Sequence, residues 1–316
     1  MLIFENRFIR TLGILLCLAT GLGAQAQTIH VLKFRSVADT KAYFRYDGPD
    51  ATIISGHRGG AIKGYPENCI PTFEHTLSAT PAMFEIDPHL TGDSGIILMH
   101  DPSLERTTTG HGRLNKYTLA QVQQLQLKDA EGSPTPYHPE TLEEAIRWSI
   151  GKTVINLDVK DVPLYRKADL VKKYNAFAYV IFTIHDAKEA KFFYDFDHRS
   201  LFSAWVLTPE ALAEYEKTGI PWSNFLIAYV GPEITDKNRD LCKQLHRRHI
   251  KVMIGAGPSY DKLDTPEARA EAYRQSVKDG ADIIESDRPI EVAEAIRGGY
   301  PAKSRLYKYQ GTKKLK

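Results

Sequence analysis

Between residues 50 and 300, short β-rich apolar runs alternate with helix-like segments, and no other feature of the chain constrains its fold as strongly. The runs are Ala51–Ser55, Met83–Asp87 with a companion at Gly95–His100, Thr153–Lys160, Tyr179–Ile184, Leu201–Leu207, Phe225–Val230, Lys251–Gly255 and Asp282–Ser286. Counting the companion with its neighbour gives eight. Helix-like stretches fill the gaps, among them Glu67–Ser78, Thr141–Ser149, Leu164–Phe177 and Pro289–Arg297. Thr141 followed three residues on by Glu144 is a capping-box pattern. Strands alternating with helices of this length imply βαβ units and a parallel sheet. Eight repeats over roughly 250 residues fit a closed (β/α)8 barrel. An open doubly wound sheet lacks support, because no Gly-rich dinucleotide fingerprint follows the first run.

The ends of the chain differ from this middle. Residues 1–26 read as a secretory signal, with Arg7 and Arg10, a short apolar run from Thr11 to Leu22, and Ala24-Gln25-Ala26 as a cleavage site. The apolar run is shorter than the ~20 residues of a spanning helix. Export to the periplasm or the extracellular space is therefore expected. Residues 27–50 form a lead-in, 51–300 the barrel domain, and 301–316 a basic tail with six Lys or Arg and no acid. That tail reads as a solvated end with weak attraction for anionic membrane headgroups. The net charge of +2 thus divides into +1, −5 and +6 for residues 1–26, 27–300 and 301–316. Such a balance gives no argument for a nucleic-acid partner, and no obligate protein partner is indicated. Beyond the leader only Cys69 and Cys242 remain, and they read as free thiols.

In a barrel of this kind the chemistry lies at the C-terminal ends of the strands. The first run leads into Gly56-His57-Arg58-Gly59-Gly60, the second into Glu85-Ile86-Asp87-Pro88-His89, and its companion into His100-Asp101. The third carries Asp158-Val159-Lys160 and the eighth ends in Glu285-Ser286-Asp287. Residues two apart on a strand share a face, so Glu85, Asp87 and His89 project together, with Asp158 beside them. Three carboxylates in a narrow mouth repel unless a cation neutralises them. Oxygen ligands favour a hard divalent ion, Mg²⁺ or Ca²⁺. His57 and His100 can act as general base and general acid. Arg58 and Lys160 suit a phosphate. Glu67-Asn68 reads as the start of the first helix, Asp287 as a cap for the last one, and the other histidines as surface or structural. Together these residues describe an anionic phosphoester site.

Seven stretches carry a family pattern: HRGG at 57–60, PEN at 66–68, FEIDPHLTGDSGIILMHD at 84–101, LERTTTGHGRLNKYTLAQVQQLQLKD at 104–129, TLEEAI at 141–146, INLDVKD at 155–161 and GADIIESDRP at 280–289. Through them the chain resembles the glycerophosphodiester phosphodiesterase family from about residue 53 to 297. The resemblance implies a TIM barrel with a small insertion after the second strand, at about residues 101–140. It also implies metal-dependent hydrolysis of glycerophosphodiesters to glycerol 3-phosphate and an alcohol. On that basis His57 and His100 are the acid–base pair, Glu85, Asp87 and Asp158 hold one divalent cation, and Arg58 and Lys160 meet the phosphate. Glu67, Asn68, His89 and Glu285 are candidates for a supporting layer. Asp158 stands where many members carry Glu, and a tryptophan common on the seventh strand is replaced within KVMIGAG at 251–257. A lyase resembling sphingomyelinase D would use the same chemistry and leave a cyclic phosphate. A non-catalytic phospholipid- or glycan-binding barrel would require a lost ligand or histidine, and none is missing.

Overall fold

The computed structural model describes residues 27–315; the expected leader at 1–26 lies outside the described residues. The chain enters through strand β1 (Thr28–Leu32) and helix α1 (Val37–Phe44), then forms β2 (Ile53–His57), α2 (Ile70–Ala79) and β3 (Met83–Ile86). An antiparallel hairpin follows, β4 (Pro88–Leu90) with β5 (Ile96–Leu98), then the short helix α3 (Leu119–Val122) and α4 (Leu142–Ser149). Regular alternation then resumes with β6 (Ile155–Leu157), α5 (Leu164–Lys173), β7 (Val180–Ile184), α6 (Ala187–Phe196), β8 (Phe202–Trp205) and α7 (Pro209–Lys217). It continues through β9 (Phe225–Tyr229), α8 (Arg239–Arg247), β10 (Lys251–Gly255), α9 (Pro266–Lys278), β11 (Ile283–Ser286) and α10 (Pro289–Ile296), and the last strand is β12 (Gln310–Lys314).

Eight parallel strands, β2, β3, β6, β7, β8, β9, β10 and β11, close into a barrel when β11 pairs back onto β2. These are the eight expected runs. Their continuous apolar character follows from burial on both faces, outward under the helices and inward in the barrel. In β7, all five residues of Val-Ile-Phe-Thr-Ile are buried. The helices begin where their caps dictate. Thr141 and Glu144 exchange the two hydrogen bonds of a capping box at α4, and Asp186 accepts from the Lys188 and Glu189 N–H groups at the start of α6.

Two expectations are corrected. The run at 95–100 is not a companion inside the barrel, because β5 pairs with β4 in a separate two-stranded sheet. Pro88 cannot donate to a barrel ladder, so β3 stops at Ile86 and the chain turns outward. The excursion therefore starts near residue 88 and not at 101. The second correction concerns the ends. The tail is not a free solvated terminus, since β12 pairs antiparallel with β1 from Thr28↔Lys314 to Leu32↔Gln310. Leu306 and Tyr309 are buried, and the Tyr309 ring packs on Phe34 and Tyr43. Lead-in and tail share one apolar cluster with Ile53, Met83, Val154, Leu201 and Ile283, residues at or just before the N-terminal ends of strands. That pole of the barrel is sealed. Lys303, Lys308, Lys313 and Lys314 remain exposed there, at the pole opposite the strand ends that carry the polar residues. Cys69 and Cys242 are free and buried, as expected. Among the described residues no helix is long and apolar enough to cross a membrane.

Candidate active site

At the open pole, β2 delivers His57 and then turns sharply through Arg58, Gly59 and Gly60, all with positive φ. A Cβ on Gly59 would lie 2.6 Å from the Phe73 ring, and one on Gly60 2.3 Å from Pro289, so only glycine permits this turn. The turn brings Arg58 Nε to 3.3 Å from Asp87 Oδ2 and its Nη1 to 3.2 Å from Glu67 Oε1. Asn68, itself left-handed at φ 54, clamps Asp87. Its Nδ2 donates to Asp87 Oδ2 at 2.7 Å and its Oδ1 accepts from the Asp87 N–H at 3.0 Å. Glu67-Asn68 therefore belongs to the site and does more than begin α2.

Glu85 at the end of β3, Asp87 just beyond it and Asp158 just beyond β6 each offer an oxygen, and these atoms all lie within 4.8 Å of one another. Burial, then the charges of Asp87, Glu285 and Asp158, push the Glu85 carboxyl well above its usual range. At Asp87 burial works the same way, but Lys160, Arg58 and the Asn68 donor outweigh it and hold that carboxyl low. Lys160 bridges Asp87, at 3.0 Å, and Asp158. Asp87 Oδ1 is buried and has no aligned hydrogen bond even so. Three acidic side chains converging within this distance, with one buried oxygen whose neighbour is the Lys160 ammonium, suit a hard divalent cation.

Two histidines flank this cluster, and each has its Nδ1 on a carboxylate. His57 Nδ1 is 2.6 Å from Asp287 Oδ1, and its Nε2 is 3.9 Å from Glu85 Oε2. Burial would lower the His57 pKa, but the Asp287 hydrogen bond and the Glu285 charge win and raise it. His100 Nδ1 is 2.8 Å from Asp101 Oδ1. Arg106 secures that side: its Nε and Nη2 bind the Asp101 carboxylate at 2.6 and 2.9 Å, and its Nη1 and Nη2 bind Glu67 at 2.6 and 2.9 Å. The Arg106 hydrogen bond holds the Asp101 carboxyl far below the ordinary range. A continuous chain of charged contacts thus runs from Asp87 through Arg58, Glu67, Arg106 and Asp101 to His100.

Several of these roles were not apparent from sequence. Asp287 does not cap α10, which opens at Pro289 without a side-chain cap; it orients His57. Its backbone N–H donates to Asp261 at 2.7 Å, and Asp261 also accepts from Ser286 Oγ and from Tyr273 O–H at 2.6 Å. His185, read as surface or structural, has its Nε2 4.0 Å from Asp158 and its ring edge-on to Trp205. His89 goes the other way: its Nδ1 is 2.9 Å from the Met99 carbonyl, which pins the hairpin, and its Nε2 is 3.9 Å from Asp161. Glu285 faces the cavity and accepts from Ser55 Oγ at 2.9 Å. The cavity, about 180 Å³, is lined by His57, Glu85, Asp158, Glu285, Trp205 and Tyr229 among others.

Comparison with known proteins bears on what this arrangement is for. A family model described as the glycerophosphoryl diester phosphodiesterase family matches residues 57–211. The crystal structure of a glycerophosphoryl diester phosphodiesterase from Parabacteroides distasonis is similar with TM-score 0.88 and 51% identity, over 90% of this chain and 100% of that one. A phosphodiesterase from Oleispira antarctica, in complex with the product sn-glycerol-3-phosphate, shares the fold at TM-score 0.58 and 18% identity, over 78% of this chain and 97% of that one. A glycerophosphodiester phosphodiesterase from Bacillus altitudinis is 33% identical over 132 residues, 39% of this chain and 50% of that protein. The chain spans about a quarter to a third of the length of several other curated relatives that it matches.

Proposed function

The chain belongs to the glycerophosphoryl diester phosphodiesterase family, and from that premise we propose that it hydrolyses glycerophosphodiesters to glycerol 3-phosphate and an alcohol. The observation that carries this reading is the pair of histidines, each tied through Nδ1 to its own aspartate, beside three converging carboxylates at the C-terminal ends of the barrel strands. With Nδ1–H committed to Asp287 or Asp101, each imidazole keeps Nε2 for the substrate. One Nε2 takes the proton from the attacking hydroxyl, which in this reading is the substrate's own glycerol hydroxyl. The other protonates the departing alcohol oxygen, and water then opens the cyclic phosphate.

Glu85, Asp87 and Asp158 would hold one Mg²⁺ or Ca²⁺, and that ion would neutralise charge building on the phosphoryl oxygens. Arg58 and Lys160 contribute the remaining positive charge. Both are engaged with site carboxylates, which fixes their heads within the mouth. Residues 1–26 would direct the protein out of the cytoplasm before any of this takes place. Replacing His57 or His100 by Ala tests the proton assignment. Each variant is expected to fold and to lose at least about a hundredfold in turnover of a glycerophosphodiester. Wild-type rates in either would overturn the assignment.

A further inference from the structure

Resting on the function proposed above, we propose that Trp205, Tyr229 and Glu285 form a subsite for a cationic leaving alcohol, so that the favoured diesters carry a choline-type quaternary ammonium. The cavity beside the carboxylates has one aromatic wall, where the rings of Trp205 and Tyr229 meet with centroids 5.0 Å apart at 48°. Trp205 is 40% exposed at the mouth of the barrel. Gly255 makes room for the wall, since a Cβ there would lie 3.1 Å from the Tyr229 ring.

Charge divides the mouth in two. Among the described residues no Lys or Arg lines the cavity, whereas Glu85, Asp158 and Glu285 do. Arg58 sits on the Asp87 side, and Lys160 bridges Asp87 and Asp158 at the cavity's edge. If Glu85 and Asp158 serve a divalent cation, Glu285 is the carboxylate left over. It accepts one hydrogen bond, from Ser55 Oγ, and a carboxylate has about four acceptor positions. An anionic phosphate is thus drawn to the Arg58 side and a cation to the other, where two aromatic rings and a carboxylate line the cavity. A neutral polyol would turn to the side chains of Asn156, Thr183 and Ser203, but Thr183 Oγ1 already donates to Asn156 Oδ1 at 3.0 Å. The cavity of about 180 Å³ is on the scale of a small amino alcohol.

The test uses the intact enzyme with choline and with 3,3-dimethylbutan-1-ol, which has the same shape without the charge. Choline is expected to quench tryptophan fluorescence and to compete with substrate, with the neutral isostere at least about tenfold weaker. The ratio of kcat/KM for glycerophosphocholine over glycerophosphoglycerol is expected to fall about tenfold in Trp205→Ala, equivalent to ~1.4 kcal/mol. Trp205→Phe should restore most of it. Equal binding of choline and its isostere, or an unchanged ratio in Trp205→Ala, would overturn the subsite. If no diester is turned over at all, the proposed hydrolysis fails. Choline quenching that is lost in Trp205→Ala would still support the subsite in that case.

Discussion

Asp287→Ala removes one contact from the site and leaves the rest in place. The contact is the 2.6 Å hydrogen bond that orients His57 through Nδ1. Charge-assisted hydrogen bonds contribute ~1.5–3 kcal/mol, but the Asp287 side chain is 52% exposed, so solvent screening brings the effect on stability to about 1 kcal/mol or less. The cost to catalysis is larger, because an unanchored imidazole samples both tautomers and several rotamers. Losing an orienting carboxylate behind a functional histidine typically costs ~10–100-fold, or about 1.4–2.7 kcal/mol of barrier. The expected result is kcat down ~10–100-fold, KM within about threefold, and a thermal midpoint within about 3 °C of wild type. Steady-state kinetics and calorimetry on the same preparation measure all three. Full kcat in Asp287→Ala, or a loss confined to KM, would refute the orienting role.

Two further outcomes follow from groups away from the chemistry. Glu140 accepts the Ile70 N–H at 2.6 Å at the start of α2, and burial, with Glu144 and Glu74 nearby, pushes its carboxyl up to about 8. Its folded pKa lies above the unfolded ~4.3, so its stabilising contribution is complete below about pH 4 and is lost as pH rises towards 8. Glu140→Gln should therefore be about 1–3 kcal/mol more stable than wild type at pH 8.5, measured in urea, with little difference near pH 4; equal midpoints at both pH values would contradict this. Truncation before Lys303 removes β12 and the buried side chains of Leu306 and Tyr309. At ~1.5–3 kcal/mol for each of these two side chains the loss is about 3–6 kcal/mol. An unchanged urea midpoint would show that the β1–β12 sheet does not seal the barrel.

What was legible in the sequence is local. His57, Glu85, Asp87, His100 and Asp158 stand at or just beyond short strands, so their neighbours in the chain announce them. The helix start at Thr141 reads directly from capping chemistry. The rest depends on closure. Asp287 reaches His57 across 230 residues only because β11 pairs with β2, which no motif spells out. The aromatic wall joins Trp205 from β8 to Tyr229 from β9, and either ring alone looks like ordinary strand composition. β12 was hidden for a different reason. Gln-Gly-Thr-Lys-Lys has no apolar alternation, and its pairing with β1 comes from backbone hydrogen bonds and the cluster around Tyr309. Arg106 also escaped notice, because its partners Asp101 and Glu67 become neighbours only when the excursion folds back over α2's entry loop.

Hydrolysis through this mouth is tested most directly by phosphorus NMR of the products. Glycerophosphocholine is incubated with the purified protein and either Mg²⁺ or Ca²⁺, alongside a chelated control and His100→Ala. The account predicts a glycerol 3-phosphate resonance with one of the two ions, and none in either control. A cyclic phosphate as the end product would identify a lyase, and an unchanged diester signal under every condition would contradict the proposed hydrolysis.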